Sequence, residues 1–382
     1  MIKHVHITNY KSLTDVAVDL DPVTVLIGRS GAGKSNFVEA LRCLRDFLTV
    51  RNDSIVQNHY GGWGRVMSAT ASQPMALDFT LTFDAPGIPE DFEYLLKFQQ
   101  GKQHDPPQFT EERLSLGGKV LYHQSGRKWV QPPPLVNPPG AGGVMLGALT
   151  GVQEVTIAHL VLTSGIGCYA FPDSVLTPQP NQGHRPIGIG LSDFGDNFLT
   201  AFVGINTDLQ TWHHLRDMAA SLRRLKPSLN SIDLQLPERE QVVVTHKLGN
   251  RLLVLELRQE SEGFRRLLAC LLALYQTPAK QTLIFDEPEK GIYPAGLAIL
   301  AEEFKGHAAK GRGQILLTTH SPEFLDHFDA TAIRVVEMRD YATHIGPVAP
   351  EQLEALREHF LKPSDLLTVD EGRLAGSLVE AG

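Results

Sequence analysis

Hydrophobic and polar positions alternate at the start of the chain, at Val5 and Ile7 and again over Val16–Leu20, on either side of a polar turn at Asn9–Thr14. Successive side chains of a strand point to opposite faces, so this alternation predicts two short, half-buried strands. The apolar run Val23–Ile27 follows and is typical of a strand buried on both faces. The chain therefore opens with three predicted strands.

A glycine-rich segment, Gly28–Ser35, separates the third strand from Asn36–Val50, where apolar residues recur at helical spacing. Strand, glycine-rich loop and amphipathic helix in this order predict the beginning of an α/β unit. The same pattern resumes after Ser261, where the sequence predicts helices at Phe264–Tyr275 and Ala295–Phe304, buried strands at Thr282–Phe285 and Gln314–Thr318, and a last helix at Glu351–Leu361. The α/β elements therefore stand at both ends of the chain.

The middle of the chain is broken by glycine and proline clusters at Gly61–Gly64, Asp105–Pro107 and Gln131–Gly143. Between them, Met75–Phe83 and Glu93–Phe98 predict strands of a sheet that leaves the main core. We interpret roughly residues 85–185 as an inserted or peripheral region, with a flexible loop around 131–143. Helical spacing returns over Thr200–Leu225, and a hairpin is predicted from Val242–Val244 to Leu252–Leu257 around Gly249–Asn250.

These patterns divide the chain into three parts. Residues 1–84 and 236–382 form the two halves of an α/β domain, and residues 85–235 form an insertion with a helical lobe. A length of 382 residues agrees with two or three structural units. The hydrophobic set makes up 42% and charged residues 20%, a balance that argues against overall disorder.

Charge and cysteine content exclude several classes of protein. The formal net charge of -8 excludes a broadly basic nucleic-acid binder, although a local basic patch stays possible. Three scattered cysteines, Cys43, Cys168 and Cys270, form neither a disulfide framework nor a metal knuckle. The start has no signal-peptide pattern, and Leu267–Tyr275, the longest apolar run, is far short of the roughly 20 residues that span a bilayer. We expect a soluble, cytoplasmic protein without a membrane partner.

Gly28–Ser35 matches G-x-x-x-x-G-K-[ST] in full, between a predicted strand and a predicted helix. In this motif (Walker A) backbone N–H groups turn inward onto phosphate oxygens, and the helix N-terminus adds its dipole. Lys34 would reach the β- and γ-phosphates, and the Ser35 hydroxyl would bind Mg²⁺. The alternative is a strand-to-helix turn that binds nothing. The predicted nucleotide-binding residues are Gly28, Arg29, Ser30, Gly31, Ala32, Gly33, Lys34, Ser35 and Asn36.

The segment Thr282–Pro288 delivers two acids from the end of a buried strand. Asp286 would hold the Mg²⁺ ion through its water shell, and Glu287 would polarise the attacking water as general base. An exposed acid pair at a strand end is the alternative, and the phosphate-loop motif upstream makes it the weaker one.

Two further candidates depend on their position relative to Asp286. Ser261 and Gly263 stand at the start of a predicted helix, upstream of the acid pair, where Ser261 could equally be an ordinary helix cap. His320 follows a predicted strand downstream of the acid pair, beside the expected γ-phosphate. A single histidine is more often structural, so its place at the end of a buried strand is what makes it a candidate catalytic residue.

Taken in order, these motifs resemble the ATP-binding-cassette class of ATPases. The order is the phosphate loop, a long insertion, S-x-G-x-R at Ser261–Arg265, the strand with its DEPE sequence at Leu283–Glu289, and TTHSPEF at Thr318–Phe324. Within that class the chain is similar to the SMC/RecF-like AAA ATPases, which include the overcoming-lysogenization-defect and anti-phage defence proteins. The opening residues, NFVEALRCL after the loop, LSDFGDNFLTAF at Leu191–Phe202 and EKGIYP at Glu289–Pro294 support this branch.

The resemblance implies a fold, a mechanism and partners. The fold is an ABC-type α/β ATPase head, a mixed sheet flanked by helices, with an insertion between Walker A and the signature motif. ATP with Mg²⁺ is sandwiched in a homodimer or a higher oligomer, so that the phosphate loop of one protomer meets the signature residues Ser261 and Gly263 of the other. Glu289–Pro294 then occupies the dimer-contact loop.

The chain also departs from the family. Position 30 is Ser where the family usually has Asn, and no residue stands out as the glutamine of the glutamine loop, for which Gln57 and Gln73 are candidates. The resemblance also implies that Lys11 and Ser12 approach the nucleotide, although a position in an exposed turn explains these two residues equally well. The chain shows no long heptad arms and no acidic cluster of metal-nuclease spacing after His320.

Three functional hypotheses follow. The first is an ATP-dependent dimeric switch that controls or scaffolds a separate effector, a nuclease or toxin, in bacterial defence. The second is a RecF-type DNA maintenance ATPase that clamps DNA when it holds ATP. The third is a scaffold with slow or vestigial ATP turnover. The basic cluster that would serve the second hypothesis, or alternatively form a solvated helix face, is Arg216, Arg223, Arg224 and Lys226.

Overall fold

A computed structural model describes residues 1–51, 54–68, 76–100, 107–173, 190–207, 212–235 and 241–375. The chain divides into two compact units. The first contains Met1–Ile166, Ala330–Leu361 and Val369–Gly382, and the second contains Gly167–Asp329 and Lys362–Thr368.

The elements follow one another in a mixed α/β order. The strands are β1 (Ile2–Tyr10), β2 (Leu13–Asp19), β3 (Val23–Ile27), β4 (Ala76–Ala85), β5 (Ile88–Gln99), β6 (Gln108–Leu116), β7 (Lys119–Ser125), β8 (Lys128–Gln131), β9 (Ile166–Tyr169), β10 (Leu229–Gln235), β11 (Gln241–Leu248), β12 (Arg251–Glu256), β13 (Thr282–Asp286), β14 (Gln314–Thr318), β15 (Ile333–Arg339) and β16 (Ala342–Pro347). The helices are α1 (Lys34–Val50), α2 (Ser54–Tyr60), α3 (Trp63–Val66), α4 (Gln153–Leu162), α5 (Phe198–Thr207), α6 (Trp212–Leu225), α7 (Glu262–Tyr275), α8 (Pro294–Ala309), α9 (Pro322–Leu325), α10 (Pro350–Arg357) and α11 (Asp365–Thr368).

The first unit is built on an antiparallel seven-stranded sheet with the order β2-β1-β4-β5-β6-β7-β8. The two predicted N-terminal strands are confirmed as β1 and β2, paired so that Val5 faces Val18 and Ile7 faces Val16. In β4, buried positions alternate strictly with half-buried ones. That alternation arises because one face of the sheet packs inward while the other is partly exposed.

Strand β3 of the first unit has its own neighbours, in the order β16-β15-β3. It runs parallel to β15, with Val25 opposite Ile333, while β15 and β16 form an antiparallel hairpin. Its residues Thr24–Ile27 are all buried, which confirms the predicted strand. Parallel alignment with β15 brings residues that follow Val335 to the edge where β3 ends and the glycine-rich segment begins.

The second unit contains parallel strands and most of the helices. Strands β14, β13 and β9 lie side by side in that order, and Phe285 of β13 is paired with Leu317 of β14. A separate three-stranded antiparallel sheet, β10-β11-β12, contains the predicted hairpin. Helix α7 is buried over Leu267–Tyr275, and this explains its nearly unbroken apolar run without any membrane.

Some predicted boundaries differ from those in the structure. Helix α1 begins at Lys34, two residues before the prediction, and the helical stretch 200–225 contains two helices, α5 and α6. Helix α10 ends at Arg357 rather than Leu361, because the chain folds back there through His359, whose φ is positive. The division at residues 84/85 and 235/236 stays a prediction; β4 spans the first boundary, and the antiparallel sheet continues through β8.

The proline- and glycine-rich segment 131–143 follows β8, and polar contacts join it to the sheet. Trp129 Nε1 donates to the carbonyl of Pro139 at 2.9 Å. The Gln124 side chain binds both the carbonyl of Gly143, at 2.7 Å, and the N–H of Gly142, at 3.0 Å. The expectation of a flexible loop stays a prediction.

Candidate functional site

The phosphate-loop segment Gly28–Ser35 lies in the first unit, between the end of β3 and the start of α1. Two of its glycines are sterically required. A Cβ at Gly28 would lie 2.1 Å from the carbonyl oxygen of Val336, and one at Gly33 would lie 2.0 Å from Thr343 Oγ1. Both glycines also have φ values, 149° and 107°, that other residues avoid. The loop, a backbone cradle, therefore packs directly against β15 and β16 at these two positions, with no room for a side chain.

A chain of hydrogen bonds supports this cradle from below. The buried Thr343 donates from Oγ1 to the carbonyl of Ala32 at 2.9 Å, and its hydroxyl lies 2.7 Å from Ser12 Oγ. Asn36 Nδ2 donates to the same Ser12 oxygen at 2.8 Å, and the N–H of Thr343 donates to the Ser12 carbonyl at 2.7 Å. These hydrogen bonds connect Ser12, in the turn after β1, and Thr343, in β16, to the two ends of the Ala32–Asn36 segment.

Lys34 is buried, and its ammonium group lies over the loop. Its Nζ donates to the carbonyl of Gly28 at 2.7 Å and to that of Arg29 at 3.1 Å. Arg29 itself is exposed and forms an ion pair with Glu371. The first N–H groups of α1 have no partner within the helix, so Gly33–Asn36 presents donors and a positive dipole end to an anion.

The two acids of the second unit stand where β13 ends. Asp286 is the last residue of β13 and faces Thr318, the last residue of the parallel strand β14. The Thr318 hydroxyl donates to Asp286 Oδ1 at 2.6 Å and accepts the backbone N–H of Glu287 at 3.0 Å. One threonine therefore fixes both acids, a role that sequence reasoning missed although Thr318 belongs to the quoted TTH sequence.

Glu287 has an unusual backbone and two basic residues as neighbours. Its φ is 51°, in the left-handed region that non-glycine residues seldom adopt, so its side chain leaves the strand in a different direction from that of Asp286. Its carboxylate pairs with Lys290, and its Oε1 lies 3.5 Å from His320 Nε2. The hydrogen bond that Lys290 donates to Glu287 raises the pKa of Lys290, which keeps that ammonium charged. Strained residues of this kind cluster at functional sites.

The buried carboxylate of Glu289 holds Thr319 and His320 in place. Its Oε1 accepts the hydroxyl of Thr319 at 2.7 Å and the backbone N–H of His320 at 3.0 Å. Among the described residues its Oε2 has no hydrogen-bond partner, and burial raises its pKa. Glu289 was predicted only as part of a dimer-contact loop; its contacts make it a support for His320.

Ser261 and Gly263 stand at the N-terminus of α7, as predicted. The Ser261 hydroxyl accepts the N–H of Phe264 at 3.4 Å, a long cap contact, and the residue is exposed. A Cβ at Gly263 would lie 2.6 Å from the carbonyl oxygen of Gly291, so the signature residues pack directly against the loop that follows the acids. This contact of Gly263 with Gly291 could not be inferred from the sequence, because no local signal joins the two segments.

The other candidates have contacts of different kinds. Lys11 forms an ion pair with Glu39 at 2.6 Å, and Ser12 belongs to the support of the phosphate loop. Gln57 is an exposed residue of α2, and Gln73 lies outside the described residues. The glutamine-loop residue therefore stays undetermined between them.

Each member of the basic cluster has a partner. Arg224 pairs with Glu302 at 2.6 Å, Lys226 pairs with Glu260, and Arg223 donates to two backbone carbonyls. Arg216 lies 3.7 Å from the adjacent Asp217. Two of the four cations, Arg224 and Lys226, are thus paired with a carboxylate at close range.

The donor chemistry fits the expected nucleotide and metal. Hydroxyl and carboxylate oxygens such as those of Ser35 and Asp286 are the ligands that Mg²⁺ prefers, usually together with water and substrate phosphates. Within the described residues there is no cluster of three or more His, Cys, Asp or Glu that could hold a metal ion alone. Of the helices in the same residues, none combines the length and hydropathy needed to cross a membrane.

Comparisons with known proteins agree with this geometry. Residues 190–326 match the family described as "AAA domain, putative AbiEii toxin, Type IV TA system", and residues 1–80 match the family described as "AAA ATPase domain". No curated protein sequence matches the chain.

Solved structures of SMC head domains share the fold. An SMC head bound to the C-terminal winged-helix domain of ScpA matches with a TM-score of 0.55 and 13% identity, over 92% of this chain and 99% of that one. The SMC head from Thermotoga maritima matches with a TM-score of 0.52 and 13% identity, over 91% of this chain and 98% of that one. The Pyrococcus furiosus head with an extended coiled coil is bound to the C-terminal domain of ScpA. It matches with a TM-score of 0.56 and 13% identity, over 94% of this chain and 99% of that one.

The fold is therefore that of an ABC-type ATPase head, as predicted. Residues 1–80 and 190–326 thus match families of AAA ATPase domains, and the fold is that of SMC heads. The two matched segments contain all the predicted site residues, Gly28–Asn36 in one and Ser261, Gly263, Asp286, Glu287 and His320 in the other.

Proposed function

We propose that this protein binds ATP with Mg²⁺, hydrolyses it between two copies of the chain, and so acts as a homodimeric switch for a separate effector. The observation that carries the proposal is the phosphate-loop cradle, in which Gly28 and Gly33 leave no room for a side chain and Lys34 overlies the loop. A glycine-rich turn without a ligand would not need a buried lysine at its centre.

In this proposal the first unit binds the phosphates. Backbone N–H groups of the loop and of the first turn of α1 donate to the phosphate oxygens, which replace water as partners. Lys34 leaves the carbonyls of Gly28 and Arg29 and pairs with the β- and γ-phosphates. The Ser35 hydroxyl would be a ligand of Mg²⁺, whose charge would offset the negative charge that develops on the leaving diphosphate.

The second unit supplies the groups that act on water. Asp286 holds the hydrated metal, and Thr318 fixes the direction of its carboxylate. Glu287 accepts the proton of the attacking water once its carboxylate exchanges Lys290 for that water. His320, close to Glu287 Oε1, orients the water and the γ-phosphate.

The dimer completes the site. Ser261 and Gly263 of the partner subunit bring the N-terminus of a second helix to the γ-phosphate, where its dipole stabilises negative charge. Because these contacts exist only while the γ-phosphate is present, hydrolysis separates the subunits and converts the nucleotide state into quaternary geometry.

The proposed effector and its setting are based on the comparisons with known proteins. The family matched over residues 190–326 is described with a toxin–antitoxin system, and two of the similar SMC heads are bound to domains of ScpA. The heads bound to ScpA favour a head that works with a separate protein, which we take to be a nuclease or toxin of bacterial defence.

The DNA-clamp alternative gains no support from the basic cluster, because Arg223, Arg224 and Lys226 already have local partners. Its separate test is a titration of duplex DNA with the isolated protein, in the presence of ATP and Mg²⁺, at several salt concentrations. Nucleic-acid binding through phosphates weakens steeply with salt, so affinity that is absent at low salt excludes a clamp of this kind.

A mixing experiment tests the sandwiched dimer. Lys34→Ala should lose ATP binding, whereas Ser261→Arg should bind ATP as a monomer and fail to hydrolyse it, because the bulky cation blocks the γ-phosphate of the other subunit. Mixed dimers of the two variants contain one intact phosphate loop facing one intact signature helix. ATP turnover should therefore return in the mixture, measured as released phosphate.

The control is subunit exchange, which is followed with two differently labelled variants. A mixture that exchanges subunits and stays inactive would contradict the sandwich. Loss of ATP binding by Ser261→Arg alone would instead make this serine a structural cap of α7.

A further inference from the structure

The first unit contains a cavity of about 610 Å³ that the nucleotide site does not use. It lies between the C-terminal end of α1, the start of α3, strands β5 and β6, and the turn between β7 and β8. A volume of this size is within the range of roughly 300–1,000 Å³ found for small-molecule sites. The phosphate loop is at the opposite end of α1, about 25 Å away along a helix of 17 residues.

Four aromatic rings form one wall of this cavity. Phe98 is at their centre, with Phe47 at 4.9 Å, Trp63 at 5.4 Å and Phe109 at 6.5 Å between ring centroids. Phe47, Trp63 and Phe98 are buried, and Phe109 is partly exposed. The rings meet edge to face or tilted, at interplanar angles of 81°, 48° and 81°, so they form a continuous apolar surface for an apolar ligand.

Two arginines and a tryptophan N–H supply donors at the cavity. Arg51 and Arg127 both line it and are both exposed, and neither has an ion-pair partner among the described residues. Trp63, another lining residue, is 6% exposed, and its Nε1–H has no acceptor in the same part of the chain. In a protein with a formal charge of -8, two cations without acids beside an aromatic wall select for an anion.

The opposite side of the cavity is held by a buried carboxylate. Glu112 accepts the N–H groups of Met145, at 2.7 Å, and Leu146, at 3.0 Å, directly after the lining residues Gly143 and Val144. Gln124 donates to Glu112 at 2.7 Å and to the carbonyl of Gly143 at 2.7 Å. These contacts fix the 143–146 segment against the sheet, so the cavity is already formed without a ligand.

We propose that this cavity is a second ligand site, which takes a small organic anion with a flat, aromatic body. The body packs against the wall formed by Phe47, Trp63, Phe98 and Phe109, and the anionic group pairs with Arg51 and Arg127. The site is separate from the ATP site, and its existence does not depend on ATP hydrolysis.

The test uses 8-anilinonaphthalene-1-sulfonate, an aromatic sulfonate whose fluorescence rises in apolar surroundings. The full chain should bind it saturably with one dye per chain. Arg51→Ala and Arg127→Ala should each weaken binding about fivefold or more, because each removes a charged donor to the sulfonate. The matched control is Lys128→Ala, which removes the neighbouring exposed cation that does not line the cavity.

Two further measurements distinguish this site from purely apolar dye binding and from binding at the phosphate loop. N-phenyl-1-naphthylamine, the same dye without the sulfonate, should bind equally to the wild type and to both arginine variants. Lys34→Ala should bind the sulfonate dye as the wild type does, which excludes the phosphate loop as its location. The proposal is overturned if the wild type shows no saturable binding, if the arginine variants bind like Lys128→Ala, or if Lys34→Ala loses the dye. Near-ultraviolet circular dichroism of every variant confirms that its fold is native.

Discussion

The phosphate loop and the acid pair are constructed in different ways. The loop of the first unit is shaped by its backbone, with Gly28 and Gly33 in conformations and contacts that exclude side chains. The acids of the second unit are held by side-chain hydrogen bonds, because the Thr318 hydroxyl contacts both Asp286 and the backbone of Glu287. The first region is therefore shaped mainly by its backbone, and the second mainly by contacts between side chains.

This difference predicts a division of labour between the two regions. Binding strength should depend on the loop, because its donors are backbone groups whose positions are fixed before the nucleotide arrives. Turnover should depend on the acids and on the residues that orient them, because small errors in their direction misplace the attacking water. Variants in the two regions should therefore affect different measured quantities.

The largest expected effect is that of Glu287→Gln. Removing the general base should lower ATP turnover by about 10²–10⁴-fold, while ATP affinity stays within a few-fold because the phosphate loop is intact. The variant should accumulate as an ATP-bound dimer, seen by gel filtration with ATP. Its counterpart is Lys34→Ala, which should lose affinity instead. Unchanged turnover in Glu287→Gln would show that another residue is the general base, with His320 as the next candidate.

An intermediate effect is expected for Thr318→Val, which keeps the shape of the side chain and removes its hydroxyl. Asp286 then loses a 2.6 Å hydrogen bond and the N–H of Glu287 loses its acceptor, so both acids should become less well oriented. We expect turnover to fall about tenfold with little change in ATP affinity. Thr318→Ser is the matched control and should restore most of the rate. Equal rates for the Val and Ser variants would show that the hydroxyl does not position the acids.

The smallest functional effect is expected for Thr343→Val below the phosphate loop. The variant loses the hydrogen bonds to Ala32 and Ser12, which should lower the free energy of unfolding by about 1–3 kcal/mol, measured by urea denaturation. ATP affinity should change less than about threefold, because a factor of three is below 1 kcal/mol and glycine contacts still shape the loop. Thr343→Ser is the control for both measurements. A loss of affinity as large as that of Lys34→Ala would mean that this support, and not the backbone, forms the cradle.

Much of the fold was accessible from the sequence because its elements have strong local signals. Alternation predicted β1 and β2, and apolar runs bounded by turns predicted β3, β13 and β14. Helix ends were less certain, as α10 shows, because the energy of one more turn at an exposed end is small. The insertion was the weakest part of the prediction. Its strands continue the antiparallel sheet that β1 begins. No local pattern in the sequence indicates which strands pair with each other.

The site shows the same limit at the level of single residues. The phosphate loop, the acid pair and His320 could be named because each occupies a fixed position in a contiguous motif. The residues that hold them could not. Thr343 lies more than 300 positions from Ala32 in the sequence, and Gly291 meets Gly263 only through the packing of the loop against α7. The cavity beside Phe98 likewise combines residues from separate segments of the chain.

The sequence by itself therefore determined the chemistry of this protein: a loop whose glycines, lysine and serine can bind phosphate and metal, and two acids at the end of a buried strand. These are properties of short segments, in which spacing alone decides which groups face a ligand. Only the tertiary structure decided how those groups are held, which cations are neutralised and where a cavity is left open. Those outcomes depend on contacts between distant segments, and they are fixed by close packing and hydrogen-bond satisfaction across the whole core.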